Sequence, residues 1–126
     1  MDKNGEDRRT SKQKAGDRGE DIAAGFLEKQ GYRVLYRKYR TRFGEIDIVA
    51  RKGRVIAFVE VKARKRTDYG LPCEAVDRRK QRRLKLGAEY FLLVNPWCKS
   101  LQPRMDIIEL LFLERGSYIR HLKNAF

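Results

Sequence analysis

The sequence predicts one α/β domain, a mixed β-sheet flanked by helices in the order α-β-β-β-α-β-β. Three observations carry this expectation. An apolar stripe at helical spacing follows a candidate cap near Asp17. Three strand-like segments then come in quick succession. A second long helical pattern separates them from two further strands. At 126 residues and 41% hydrophobic content the chain suits a single domain with one core.

Residues 1–15 are polar and charged without apolar periodicity, so a flexible tail is expected there, with the domain spanning 16–126. Helix one is expected over about 17–30, with Asp17 as N-cap and Glu20 in the capping-box position. Ile22, Ala23, Phe26 and Leu27 form its stripe, and Gly31 fits the position after the helix. Tyr32 to Arg40 reads as a strand near an edge. Gly44 to Ala50 is a second strand, with Ile46 and Ile48 on one face and Glu45 and Asp47 on the other. Lys52-Gly53 is the expected turn, and Arg54 to Lys62 a third strand with Val55, Ala57, Val59 and Val61 on its apolar face. Ala63 to Leu71 is a basic loop. Pro72 introduces a helix over about 74–94, in which Val76, Leu84, Ala88 and Leu92 face the core and Lys80 interrupts the row. Asn95-Pro96 ends it. Arg104 to Leu113 is a buried strand, and Tyr118 to Leu122 a short last one.

Lys and Arg number 30 against 17 Asp and Glu, a formal charge of +13. From Arg51 to Lys85 there are 13 basic and 4 acidic residues, so +9 of that charge lies in one stretch. A positive face of this kind takes a polyanion as its commonest partner, and binding through it is steeply salt-dependent. The plainer explanation is a solvated surface that aids solubility. Cys73 and Cys98 have neither metal-type nor redox spacing and read as reduced thiols. No apolar run approaches membrane length, so a soluble cytoplasmic protein without membrane contact is expected.

The chemistry lies where acidic side chains interrupt apolar strands. Alternation puts Glu60 and Lys62 on one face of their strand. With a two-residue Lys52-Gly53 loop, Glu45 faces Glu60, Asp47 faces Phe58, and Asp47 and Glu60 become diagonal neighbours on one face. A loop one residue longer turns Asp47 to the other side. Hydrolysis of a phosphodiester must bring an anionic centre and a water together against charge repulsion. Two carboxylates and a backbone carbonyl suit Mg²⁺, which polarises phosphoryl oxygen and acidifies bound water. A neighbouring lysine steadies the developing charge. Asp47, Glu60, the Val61 carbonyl and Lys62 supply these parts.

Gly44-Glu45-Ile46-Asp47 followed by Phe58-Val59-Glu60-Val61-Lys62 resembles the D…ExK pattern of the PD-(D/E)xK nuclease superfamily. A wider pattern joins Gly16-x-x-Gly19-Glu20, Gly31-Tyr32, Gly70-x-Pro72-x-Glu74-Ala75-Val76, Lys80-Gln81-Arg82-Arg83-Leu84 and Arg104-x-Asp106. It is similar to the archaeal Holliday-junction resolvases and, more closely, to the bacterial YraN-type family of predicted endonucleases. The resemblance runs from about Gly16 to Asp106 and implies a restriction-endonuclease-like fold. It implies Asp47 and Glu60 as ligands of Mg²⁺ (or Mn²⁺), Lys62 as the catalytic lysine, and DNA, branched DNA in particular, as substrate. Junction cleavage takes two cuts, so a homodimer is the expected active form. Glu20 matches the helix-one glutamate of the resolvases, and the second helix points to Lys80 or Gln81. Ile46 stands where the superfamily name has proline.

Each residue has a plainer explanation beside this one. Glu60 and Lys62 alone fit a surface ion pair, and Glu20 fits a helix cap. Lys80 fits a lysine that snorkels outward, and Glu45 a partner for a nearby arginine. Tyr32, Tyr36 and Tyr39 alternate with Arg33, Arg37, Lys38, Arg40 and Arg42. The tyrosines are expected to pack at the sheet edge while basic residues such as Arg42 touch nucleic-acid backbone. Arg64, Lys65 and Arg66, directly after the third strand, form the expected phosphate clamp. Arg104 and Asp106 read as a structural pair, His121 as structural and Trp97 as a packing residue. The rival readings are a nucleic-acid-binding module that does not cleave, and an RNA-binding or ribosome-associated factor. Both use the charge, and both leave Asp47 beside Glu60 unexplained, since two carboxylates repel a polyanion unless a cation sits between them.

Overall fold

The computed structural model describes residues 8–65 and 77–126. The elements are α1 (Ser11–Lys29), β1 (Arg33–Thr41), β2 (Gly44–Lys52), β3 (Val55–Lys65), α2 (Arg78–Val94), a 3₁₀ turn at Pro96–Cys98, β4 (Gln102–Phe112) and β5 (Ser117–Leu122). The α-β-β-β-α-β-β order is the one expected. One five-stranded sheet runs β1-β2-β3-β4-β5. β3 and β4 are parallel, joined through α2, and every other neighbouring pair is antiparallel.

The sheet separates two cores. Ala23, Ala24 and Leu27 of α1 bury Ile48, Ala50, Ala57, Val59, Ile108 and Leu110 on one face. Leu84, Ala88 and Phe91 of α2 bury Ile46, Val49, Ile56 and Phe58 on the other. The buried row of α2 is Leu84, Gly87, Ala88 and Phe91, the i, i+3, i+4, i+7 face of a helix. Phe91 replaces Leu92 as its anchor and meets Tyr36, Tyr39 and Phe58 edge-on. Trp97 packs on Phe91 from the 3₁₀ turn, as expected of a packing residue. Val76, Cys73 and the expected helix start near 74 fall outside the described residues.

Helix α1 begins earlier than expected. Thr10 is its N-cap and Gln13 its reciprocal partner: Thr10 Oγ1 accepts from the Gln13 N–H, and Gln13 Oε1 from the Thr10 N–H. Asp17 therefore lies inside the helix, and so does part of the expected tail. The T-x-x-Q box outweighs the polar composition because two otherwise orphaned donors are satisfied at once. Gly19 lets α1 sit close on the sheet: a Cβ there would lie 3.0 Å from Ala63 Cβ and 3.2 Å from Leu110 Cδ1.

The β2–β3 turn is Gly53-Arg54, one position beyond the expected Lys52-Gly53, with Gly53 at φ +59°. Glycine with positive φ at the first loop position suits a tight hairpin. Lys52 then pairs with Val55 and Ile48 with Val59. This register differs by two from the expected one, which keeps the faces of the paired residues from Ile48 to Lys52 and from Val55 to Val59 and brings Asp47, just beyond the last pair, beside Val61.

Ile46 and Ile48 do not share a face. Ile46 belongs to the α2 core and Ile48 to the α1 core. The β2–β3 ladder ends at Ile48–Val59, and just beyond it the Asp47 side chain takes the Val61 N–H. On the other flank of β2, Lys38 has φ +52° between the pairs Arg37–Ile48 and Tyr39–Ile46. The two irregularities fall on one rung. They aim Tyr36 and Tyr39 together at Phe91, and Arg37 and Lys38 together at α1.

At the far edge, Arg104 donates two hydrogen bonds of 2.8 Å to Asp106, the structural pair expected. Asp106 has no exposed surface and also bonds His121 Nε2 at 2.8 Å and the Asn124 N–H at 2.9 Å. Burial alone would raise this carboxyl. The bonds from His121, Arg104 and Asn124 outweigh burial and hold it below the usual range. His121 is structural, as expected.

Candidate active site

Four elements converge where β2 leaves the ladder. β2 supplies Glu45 and Asp47, β3 supplies Glu60, Val61 and Lys62, and the helices bring Glu20 from one side and Lys80 from the other. Asp47 Oδ2 accepts the Val61 N–H at 2.7 Å. This bond holds the carboxylate against β3 at the point where a ladder bond is missing. Glu60 lies near enough to Asp47 for each carboxyl to act on the other, and Lys80 Nζ stands 3.6 Å from Glu60 Oε1. Lys62 lies near enough to act on the Glu60 charge.

The electrostatics follow from crowding two acids into a half-buried place. Burial first, then the Glu60 charge, push the Asp47 carboxyl up to about 7, although the Val61 N–H opposes them. Burial also raises Glu60, against the lowering pull of Lys80 and Lys62. Without a cation between them, the two groups share a strong preference for holding a proton.

Two cavities flank Asp47. One, of about 360 Å³ on the α1 side, is lined by Arg9, Gln13, Gly16, Asp17, Glu20, Lys38, Glu45, Asp47 and Val61. The other, of about 170 Å³ on the α2 side, is lined by Gly44, Glu45, Ile46, Asp47, Glu60, Lys80, Arg83 and Leu84. Asp47 and Glu45 belong to both. A larger groove of about 580 Å³ lies at the end of α2 among Leu92, Leu93, Pro96 and Leu101, away from the acids. Among the described residues, no three His, Cys, Asp or Glu side chains come together in a group that could hold a metal ion.

A family model for the uncharacterised protein family UPF0102 matches residues 19–110. The chain belongs to this family. A UPF0102 protein of Alkaliphilus metalliredigens is 44% identical over 111 residues, 88% of this chain and 96% of that one. One from Lachnoclostridium phytofermentans is 48% identical over 107 residues, covering 85% and 87%. One from Syntrophus aciditrophicus is 43% identical over 119 residues, covering 94% and 93%. The match to UPF0102 takes in Glu20, Asp47, Glu60, Lys62 and Lys80.

Within this UPF0102 chain the expected site residues divide into groups. Asp47, Glu60, Val61 and Lys80 are together. Glu20 is 5% exposed, lines the Asp47 cavity and is bonded at 3.1 Å by Arg37 Nε. It caps nothing: burial raises its carboxyl while Arg37 pulls the other way. Glu45 does both things considered for it, pairing with Arg40 at 3.5 Å and lining the cavities. Gln81 is one residue on from Lys80 and lines neither cavity. Arg42 is exposed in the β1–β2 turn, its guanidinium 5.0 Å from the Phe43 ring centre.

The expected clamp is corrected at Arg64. This residue lies within β3, is 9% exposed and pairs with Glu109 at 3.4 Å, so it is committed to the interior. β3 simply runs further than expected, because β4 pairs with it in parallel as far as Lys65–Phe112. Lys65 ends the strand, and Arg66 falls outside the described residues. Sequence reading places Lys38 only in a general basic stretch. Its position at the cavity depends on a left-handed backbone that no periodicity announces.

Among the described residues no helix is long and apolar enough to cross a membrane.

Proposed function

We propose that this protein is a Mg²⁺- or Mn²⁺-dependent nuclease that hydrolyses phosphodiester bonds in DNA, with branched DNA as its preferred form. It would act as a homodimer in the cytoplasm on a restriction-endonuclease-like fold. What carries the reading is the closeness of Asp47 to Glu60 beside Lys80 and Lys62, on a chain of charge +13. A polyanion-binding surface has no use for two abutting carboxylates, and a site for a hard cation does.

Asp47, Glu60 and the Val61 carbonyl fit the oxygen preference of Mg²⁺, with water completing the shell. The ion, when bound, supplies Lewis-acid polarisation of the phosphoryl oxygen and an acidified water. The chain does the rest. The Val61 N–H fixes the Asp47 carboxylate, leaving its other oxygen for a ligand. Lys80 and Lys62 hold Glu60 toward its charged form and offer cationic stabilisation to the transition state. Glu20, on the α1 side, is placed to orient a water.

Cleavage of a labelled four-way DNA junction in Mg²⁺ tests this. Wild type is expected to cut, and Glu60→Ala and Asp47→Asn to bind without cutting. Binding without turnover in wild type would replace this reading with the non-cleaving module. That alternative draws support from the 3.6 Å Lys80–Glu60 pair, which partly neutralises one acid without any metal.

A further inference from the structure

We propose that Lys38 and Arg9 form a phosphate-binding subsite on the α1 side of the Asp47 cavity, with the Asp17 carboxylate keeping the phosphate's place until substrate arrives. The proposal rests on the nuclease reading for the identity of the anion, and on separate residues for its geometry.

Asp17 sits between two cations. Its Oδ1 is 2.6 Å from Lys38 Nζ and its Oδ2 is 3.0 Å from Arg9 Nη1. All three line the cavity of about 360 Å³ that Asp47 and Val61 also line. That volume lies at the small end of ordinary ligand pockets. The cations are half exposed, at 49% and 51%, while Asp17 is 27% exposed, so the pair faces an entering anion. An ion pair this exposed adds little to folding. Exchanging the carboxylate for a phosphodiester, which likewise carries one charge over two terminal oxygens, therefore costs the fold little.

The backbone gives the independent argument. Lys38 has φ +52°, a conformation that a long side chain rarely adopts and that glycine or asparagine tolerates better. An unstrained strand would alternate, sending Arg37 and Lys38 to opposite faces. The left-handed residue instead sends both toward α1, where Arg37 bonds Glu20 and Lys38 reaches Asp17. Strain of this kind persists at sites that use it. Its product here is an ammonium group at the mouth of the cavity that holds the candidate catalytic acids.

The Asp17 carboxylate also explains how a chain of +13 keeps a pair of cations at the rim of an otherwise acidic cavity without holding arbitrary anions there. A single small anion must displace a carboxylate already bonded to both cations. A nucleic-acid strand is held along the basic surface as well, and displaces it by avidity.

The test is binding of a fluorescein-labelled four-way DNA junction with Ca²⁺ in place of Mg²⁺, read by anisotropy across a salt series, with junction cleavage in Mg²⁺ measured alongside. Lys38→Gly is expected to fold with a urea midpoint at or above wild type, because glycine relieves the positive φ. It should bind roughly 5–10-fold more weakly at low salt, with a salt slope shallower by about 0.9 for the lost phosphate contact. Asp17→Asn should bind several-fold more tightly. Unchanged affinity and slope in Lys38→Gly overturn the subsite, and an unchanged Asp17→Asn overturns the place-keeping role, whether or not wild type cuts. Lys38-dependent binding in a wild type that never cuts leaves the subsite standing and removes the nuclease. No binding of the junction by wild type removes both.

Discussion

Asp47 takes the backbone N–H of Val61 where the β2–β3 ladder stops, so one carboxylate is both a structural patch and a candidate ligand. The two roles separate by substitution. Asp47→Asn keeps an acceptor for Val61 and should stay within about 1 kcal/mol of wild type, while losing cleavage. Asp47→Ala strands a part-buried donor and should cost about 1–3 kcal/mol besides. Urea unfolding of both variants beside the junction assay checks the split. Equal stability of the two would remove the structural role.

A divalent ion that binds the folded chain alone must stabilise it. At a concentration 100-fold above its Kd, Mg²⁺ or Mn²⁺ should add about 2.7 kcal/mol to wild type and little to Glu60→Gln. Ion-dependent thermal unfolding measures this without any substrate. The same ion effect in both proteins would place the metal elsewhere.

Asp106 makes the fold acid-sensitive in a defined direction. Its folded-state carboxyl titrates below the ordinary 3.8, so its stabilisation is complete above that value. It is lost as pH falls through the ordinary value and on through the lower folded one. At pH 7, Asp106→Asn leaves Arg104 and His121 facing an uncharged amide and should cost about 3 kcal/mol or more. The gap between the two proteins should then narrow toward pH 3. A gap independent of pH would show that packing, not charge, is what the substitution removes.

Arg64 provides a control for the basic surface. Arg64→Ala leaves Glu109 buried without its 3.4 Å partner and should lower stability by about 3 kcal/mol. It should not change the salt slope of DNA binding, because the guanidinium faces the interior. A slope shallower by about 0.9 would return Arg64 to the nucleic-acid surface.

The element order was legible from the helical and strand periodicities, and the closeness of Asp47 to Glu60 survives a register error of two, although the break in alternation between Ile46 and Ile48 leaves no mark in the sequence. The turn position was not, since Lys52-Gly53 and Gly53-Arg54 both place a glycine in a two-residue loop. The start of α1 was written in Thr10-x-x-Gln13, but composition drew attention away from it. Arg64 was misplaced because strand length depends on the parallel partner β4, which lies far along the chain. Lys38 was hidden for a different reason. Its location follows from a single backbone angle, set by the packing of Tyr36 and Tyr39 against Phe91, and such tertiary choices leave no local pattern.

The UPF0102 family model ends at residue 110, yet the buried Asp106 is hydrogen-bonded to His121 and to the N–H of Asn124, beyond that limit. The stretch needed to satisfy this buried carboxylate is thus longer than the stretch that the family model spans. A fragment cut at the edge of the match would retain every proposed catalytic group and still collapse, because its most deeply sunk charge would have lost half its company.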